Sequence, residues 1–225
     1  PPSPHGVGVK MISKLVLGAL LIGASVIHVP AVAAAPPDAG RSQSDPDQAE
    51  RFFDHFYAKD YDAALKVADQ LSLIADNPEG RGIVTAMRAA ALLGLKRNAE
   101  AETLFAEAGR LAPQEPLIAG LQFEAALLSD DTALAGKTLD RMIARFPDYV
   151  RGLGQDTVYW VLREQQESDP SRNDDRRVAL AQIGFGGEGR GDYLAQEAIG
   201  VLLDRRDLAG ATDLLRYIDE PQLIE

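Results

Sequence analysis

The sequence predicts an all-α fold built from repeated helix hairpins, and three observations carry that expectation. Every strong apolar period in the 225 residues lies near 3.6 rather than 2, the spacing of a helix face and not of a strand. One pattern then returns after 34 residues: Ala101, Phe105, Ala108 and Pro113 are matched by Ala135, Leu139, Met142 and Pro147. Small residues let two backbones approach, the large one fills the gap beside them, and the proline stands where a helix should stop. Finally, the chain has no cysteine, so its stability must come from apolar burial across many helices rather than from disulfides. A lone hairpin cannot bury its apolar face, whereas stacked hairpins share one core.

Taken in order, Asp45-Pro46 offers an N-cap and a proline at the first helical position, and Phe52, Phe53 and Phe56 give the opening helix its apolar face. Its partner begins at Tyr61, and Leu65, Ala68 and Leu71 continue the stripe until Asn77-Pro78 closes it. The second pair runs from about Gly82 to Pro113, with helices near Ile83 to Leu95 and Asn98 to Leu111 joined through Gly94-Leu95-Lys96-Arg97. A third pair follows from Pro116; its second helix takes Asp130 or Asp131 as N-cap and presents Ala135, Leu139, Met142, Ile143 and Phe146 on one face. The fourth is irregular. A helix over Asp156 to Glu167 surrounds Tyr159, Trp160 and Leu162, Ser168-Asp169-Pro170-Ser171 interrupts, and a short helix is predicted near Asp175 to Ile183. The last pair, Asp192 to Leu203 and Asp207 to Ile218, has an apolar face of Leu208, Ala211, Leu214, Leu215 and Ile218 and a terminating Pro221.

Residues 1–10 lie upstream of Met11 and are excluded from the fold as an upstream or fragment artefact. Residues 11–33 read as a secretory signal peptide: Lys14, an apolar run from Leu15, and Ala31-Val32-Ala33 as a small-x-small cleavage site. The run to Ile27 is shorter than the about 20 apolar residues of a membrane span. Residues 34–45, rich in Pro, Asp, Gly and Ser, read as a disordered leader, and residues 46–221 as the helical repeat domain. No cysteine is available for lipid attachment, so the expected location is periplasmic or secreted, with no membrane contact after signal cleavage. The alanine-rich signal suggests a bacterial source.

The full chain carries 23 basic and 34 acidic residues, net −11; cleavage removes Lys10 and Lys14 and leaves −13. That balance argues against nucleic acid, which needs a basic stripe to neutralise phosphates, and against anionic lipid.

The period, the small-large-small-proline order and the Lys59-Asp60-Tyr61-Asp62-Ala63-Ala64-Leu65 turn resemble the tetratricopeptide repeat (TPR). The resemblance is departed from in the first pair, where Phe52 stands in place of the usual glycine, and in the fourth. It implies a right-handed superhelical solenoid of about five antiparallel helix pairs. It further implies a concave groove that binds a peptide or protein segment. Projecting the family's groove positions onto this sequence gives Phe53, Phe56, Ala86, Ala90, Gly120 and Glu124, a lining mostly apolar and small.

Candidate chemistry is sparse. Gly184-Phe185-Gly186-Gly187-Glu188-Gly189 matches a phosphate-loop spacing, but no strand precedes it and Glu188 would repel phosphate, so it reads as a linker, as does Arg190-Gly191-Asp192. His55 is the one histidine beyond the signal and reads as a packing residue, since a metal site would need further His or Cys ligands. The acid pairs Asp130-Asp131, Asp174-Asp175 and Asp204 with Asp207 fall at helix ends, where capping explains them. Tyr159-Trp160 cannot both face a core; Trp160 is expected to pack between the fourth and fifth pairs with Tyr159 at the boundary, the alternative being that one ring is exposed to a partner. The sequence therefore predicts a non-enzymatic protein-interaction scaffold with no cofactor and no metal. The alternative is the helical amino-terminal region of a larger periplasmic enzyme such as a lytic transglycosylase, suggested because no polar capping helix precedes Glu225 and the chain is expected to continue.

Overall fold

The computed structural model describes residues 46–185 and 192–218, so the expectations for the signal segment, the leader, most of the glycine run and Pro221 lie outside the described residues. These residues form eleven α-helices and no strand. They are α1 (Pro46–Tyr57), α2 (Tyr61–Ser72), α3 (Pro78–Gly94), α4 (Asn98–Leu111), α5 (Pro116–Leu128), α6 (Thr132–Arg145), α7 (Pro147–Arg151), α8 (Gln155–Glu164), α9 (Pro170–Gln182), α10 (Asp192–Asp204) and α11 (Leu208–Leu214), the last followed by a 3₁₀ turn at Leu215–Tyr217. No helix among them is long and apolar enough to cross a membrane. The chain divides into two compact units at Ser129/Asp130.

One turn recurs between paired helices. Lys59, Lys96, Asp130 and Arg206 take φ of 60°, 62°, 57° and 61°, a left-handed conformation that non-glycine residues adopt at a cost of about 1 kcal/mol or more. The cost is offset because the turn gives the last carbonyls of a helix their partners: Lys96 N donates to Leu93 O at 3.0 Å and Arg97 N to Leu92 O at 2.9 Å, and the turns at Lys59 and Arg206 repeat both bonds. The next helix is then capped directly. Asp60, Asp131 and Asp207 each accept from the backbone N–H three residues on. Asp131 is thus the cap that the sequence left open against Asp130. Lys96 and Asp130 are 34 residues apart, so this turn carries the same period as the apolar pattern.

Prolines correct several predicted boundaries. Pro78, Pro116, Pro147 and Pro170 all sit in the first turn of a helix, where the missing N–H is no loss. Asn77 therefore opens α3 by accepting from Gly80 N at 2.7 Å rather than closing α2, which ends at Ser72. Asp169-Pro170 likewise starts a 13-residue α9 rather than interrupting the fourth pair. Pro147 begins the short α7, which the periodicity did not show.

In the first unit α3 packs against α2, α4 and α5, and α1 against α2. Ala49, Phe52, Phe53 and Phe56 form one buried stripe on α1, and the Phe52 ring stacks on Phe56 at 5.5 Å. Each such ring contributes about 1.5–3 kcal/mol by leaving water. Small residues set the approach of α2 to α3: a Cβ on Gly94 would overlap the Tyr61 ring, itself 5.9 Å from Phe56. Gly94→Ala should therefore cost about 1–3 kcal/mol in urea unfolding, although alanine is the better helix former. A neutral or stabilising result would show that Tyr61 gives way freely.

In the second unit α6 packs against α7, α8 and α9, and α10 against α9 and α11. The predicted stripe on α6 is buried at Ala135, Leu139 and Met142, whereas Ile143 and Phe146 are half-buried. Val178, Ala181, Ala198, Leu202, Ala211 and Leu214 form a shared apolar cluster. The predicted face of α11 is corrected here: Ala211 and Leu214 are buried, but Leu208, in the first turn of the helix, is 67 % exposed, and Leu215 is 55 % exposed in the 3₁₀ turn that follows the end of α11 at Leu214.

Candidate functional site around Tyr57 and Glu124

Helix α5 is apolar on nearly every side, which explains its burial, and Glu124 is its one ionisable residue. A carboxylate in that setting needs a partner. Tyr57, at the end of α1, supplies it: its phenol donates to Glu124 Oε2 at 2.7 Å across 67 residues of sequence. The ring is held by stacking on Phe53 at 5.8 Å and by Phe56 at 5.6 Å. Burial pushes the Glu124 carboxyl up to about 8, and the Tyr57 hydrogen bond only partly opposes that shift. Glu124 is therefore largely a neutral acid at pH 7, though its residue is half-buried rather than sealed.

Two lysines converge on the far end of the same helix. Lys59 Nζ donates to Leu128 O at 3.2 Å and Lys96 Nζ to Ser129 O at 2.8 Å, placing cations at the negative end of the α5 dipole. Both belong to the left-handed turns described above.

Of the six residues projected as groove lining, Phe53, Phe56, Ala86, Ala90 and Gly120 are buried and Glu124 is half-buried. Tyr57 joins the Phe53–Phe56 rings of α1 to Glu124, while Ala86 and Ala90 belong to the buried surface of α3. Tyr57 was missed by the sequence reading. Its signal was positional: it follows Phe53 by four residues and so shares a helix face with it.

His55 is half-buried with Nδ1 3.6 Å from Asp60 Oδ2, and among the described residues no group of three or more His, Cys, Asp or Glu is placed to hold a metal. Tyr159 and Trp160 are both half-buried, and Tyr159 lies 6.5 Å from the exposed Tyr193 ring. Burial, then the nearby Glu197, raises the Tyr159 phenol. Gly184 closes α9 at φ 69° and Phe185 is buried, which fits an inter-helix connection; Gly186 to Gly191 lie outside the described residues.

The second unit holds a buried polar network that the sequence reading also missed. Arg176, 5 % exposed, grips Asp140 with Nε to Oδ1 at 2.6 Å and Nη2 to Oδ2 at 3.1 Å, and Arg172 adds Nε to Oδ2 at 2.8 Å. Burial alone would raise the Asp140 carboxyl, but the two guanidinium groups hold it below the usual range. Arg176 also donates to Gln165, whose amide donates in turn to Thr132 O. Gly136 makes room, since a Cβ there would overlap the Gln165 amide. Asn173 completes the set, donating to Leu162 O at 2.6 Å and Gln166 Oε1 at 2.8 Å. Together these bonds bridge α6, α8 and α9, so the chemistry of the network is that of a helix clamp.

Comparison with protein-family models, with curated proteins and with solved structures finds no match to this chain.

Proposed function

We propose that this protein is a non-enzymatic scaffold of the tetratricopeptide kind, in which each unit is a run of antiparallel helix hairpins and a protein or peptide segment is the ligand. The observation that supports the reading is the recurrence of one hairpin geometry, the left-handed turns at Lys96 and Asp130 with the buried stripes Ala101-Phe105-Ala108 and Ala135-Leu139-Met142 at the same 34-residue spacing. Repeated hairpins create extended surfaces from ordinary packing. The segment would dock on the first helices α1, α3 and α5, where Tyr57 and Glu124 are half-exposed beside buried apolar residues. A neutral acid among apolar groups suits an uncharged, apolar segment better than a charged terminus. The protein acts as a secreted or periplasmic binder in this reading, with neither cofactor nor metal.

Displaying a random peptide library against residues 46–225 tests this, with calorimetry on the enriched sequences. The expected result is a convergent apolar segment that binds one-to-one near micromolar affinity, about −8 kcal/mol. Failure of any sequence to enrich would contradict it.

One observation favours an enzyme instead. Burial pushes the Glu124 carboxyl up to about 8, a range that a general acid can use, in a chain that would be the helical amino-terminal region of a larger periplasmic enzyme such as a lytic transglycosylase. Turnover of peptidoglycan that is abolished in Glu124→Gln would establish that reading in place of the first.

A further inference from the structure

Tyr159 on α8 and Tyr193 on α10 stand 34 residues apart, the period of the turns and apolar stripes. Their ring centroids are 6.5 Å apart, with planes tilted by 55°. Tyr193 is 62 % exposed and Tyr159 half-buried, so the pair presents aromatic surface to solvent. Glu197 follows Tyr193 by one turn of α10 and accepts its phenol O–H, which sets a carboxylate beside the exposed ring.

The charge around the pair is not balanced. Arg177 of α9 donates Nε to Glu197 Oε2 at 3.2 Å, but it is shared: Nη1 donates to Asp174 Oδ1 at 3.0 Å and Nη2 to Gln166 Oε1 at 2.6 Å. One guanidinium thus serves two carboxylates, and the set is short of one positive charge. The field at the rings has that sign. On the Tyr193 phenol Glu197 is the largest influence and raises it, while Arg177 opposes that shift least of all; on Tyr159 burial comes first and Glu197 next, with no cation opposing them.

We propose that Tyr159, Tyr193 and Glu197 form a docking shelf for an arginine side chain of a basic partner segment. A guanidinium is planar, stacks on a tyrosine face and donates to a carboxylate through its edge, so one side chain meets both features of the shelf. It also supplies the positive charge that Asp174, Arg177 and Glu197 together lack. A phosphate or a terminal carboxylate would meet Glu197 and be repelled. The shelf lies within the second unit and takes a charged ligand, so it stands apart from the apolar segment proposed for α1, α3 and α5.

Titrating the isotope-labelled full chain with acetyl-arginine amide, and in parallel with its neutral isostere acetyl-citrulline amide, tests the shelf at physiological salt. The arginine compound should bind saturably with a Kd on the order of millimolar, with shifts concentrated on the Tyr159 and Tyr193 rings and on the first turns of α10. The citrulline compound should bind at least about threefold more weakly. Tyr193→Ala, at an exposed position where folding is not at stake, should weaken arginine binding at least about threefold, whereas Tyr193→Phe, which keeps the ring, should stay within about twofold of the natural chain. Glu197→Gln should also weaken it at least about threefold. Equal binding of the two probes, shifts spread evenly over the acidic surface, or unchanged affinity in Tyr193→Ala or Glu197→Gln overturns the proposal.

Discussion

Asp140→Ala is expected to destabilise the second unit by about 3–5 kcal/mol, because it leaves the Arg176 guanidinium, 5 % exposed, without its counter-ion. Arg172 cannot compensate, since it is itself a cation on the same carboxylate. Urea unfolding followed by the fluorescence of Trp160, the single tryptophan of the chain, reads this unit directly. The double change Asp140→Leu with Arg176→Met should recover most of the loss, since an apolar pair of similar volume often replaces a buried ion pair at no cost. A loss below about 1 kcal/mol for Asp140→Ala would show that water reaches Arg176 and that the clamp is a surface pair.

The second large effect is at Phe105. Its ring is 7 % exposed on α4, between Ala101 and Ala108, and Phe105→Ala should cost about 3–5 kcal/mol by circular dichroism in urea. The small neighbours cannot collapse into the space. A loss under about 1 kcal/mol would mean that the ring does not fill the gap between helices, and with it the 34-residue pattern would lose its structural meaning.

Much of the helical framework was legible because it rests on local rules. The stripe Ala101-Phe105-Ala108 and its counterpart at Ala135-Leu139-Met142 are buried as their spacing requires. The aspartate caps at Asp131 and Asp207 also follow from sequence. Prolines were harder, because the same residue marks the end of one helix and the start of the next. Asn77-Pro78 and Asp169-Pro170 are caps with proline at the first position, and reading them as stops shortened α3 and α9. The burial of Arg176 and Asn173 was not legible, since α9 is rich in charge and nothing local tells which of Arg172, Arg176 and Arg177 faces inward. Asp140, 36 residues from Arg176, makes that choice. Glu124 entered only through the projected groove positions, and although Tyr57 shares a helix face with Phe53, its pairing with Glu124 across 67 residues could be found only in three dimensions.

The segment-binding role is tested most directly by titrating isotope-labelled protein with an enriched apolar segment and following backbone amide shifts. The account predicts saturable shifts concentrated on α1, α3 and α5, centred on Tyr57 and Glu124, with the segment recovered chemically unchanged. Shifts confined to α6–α11, or cleavage of the segment, would contradict it.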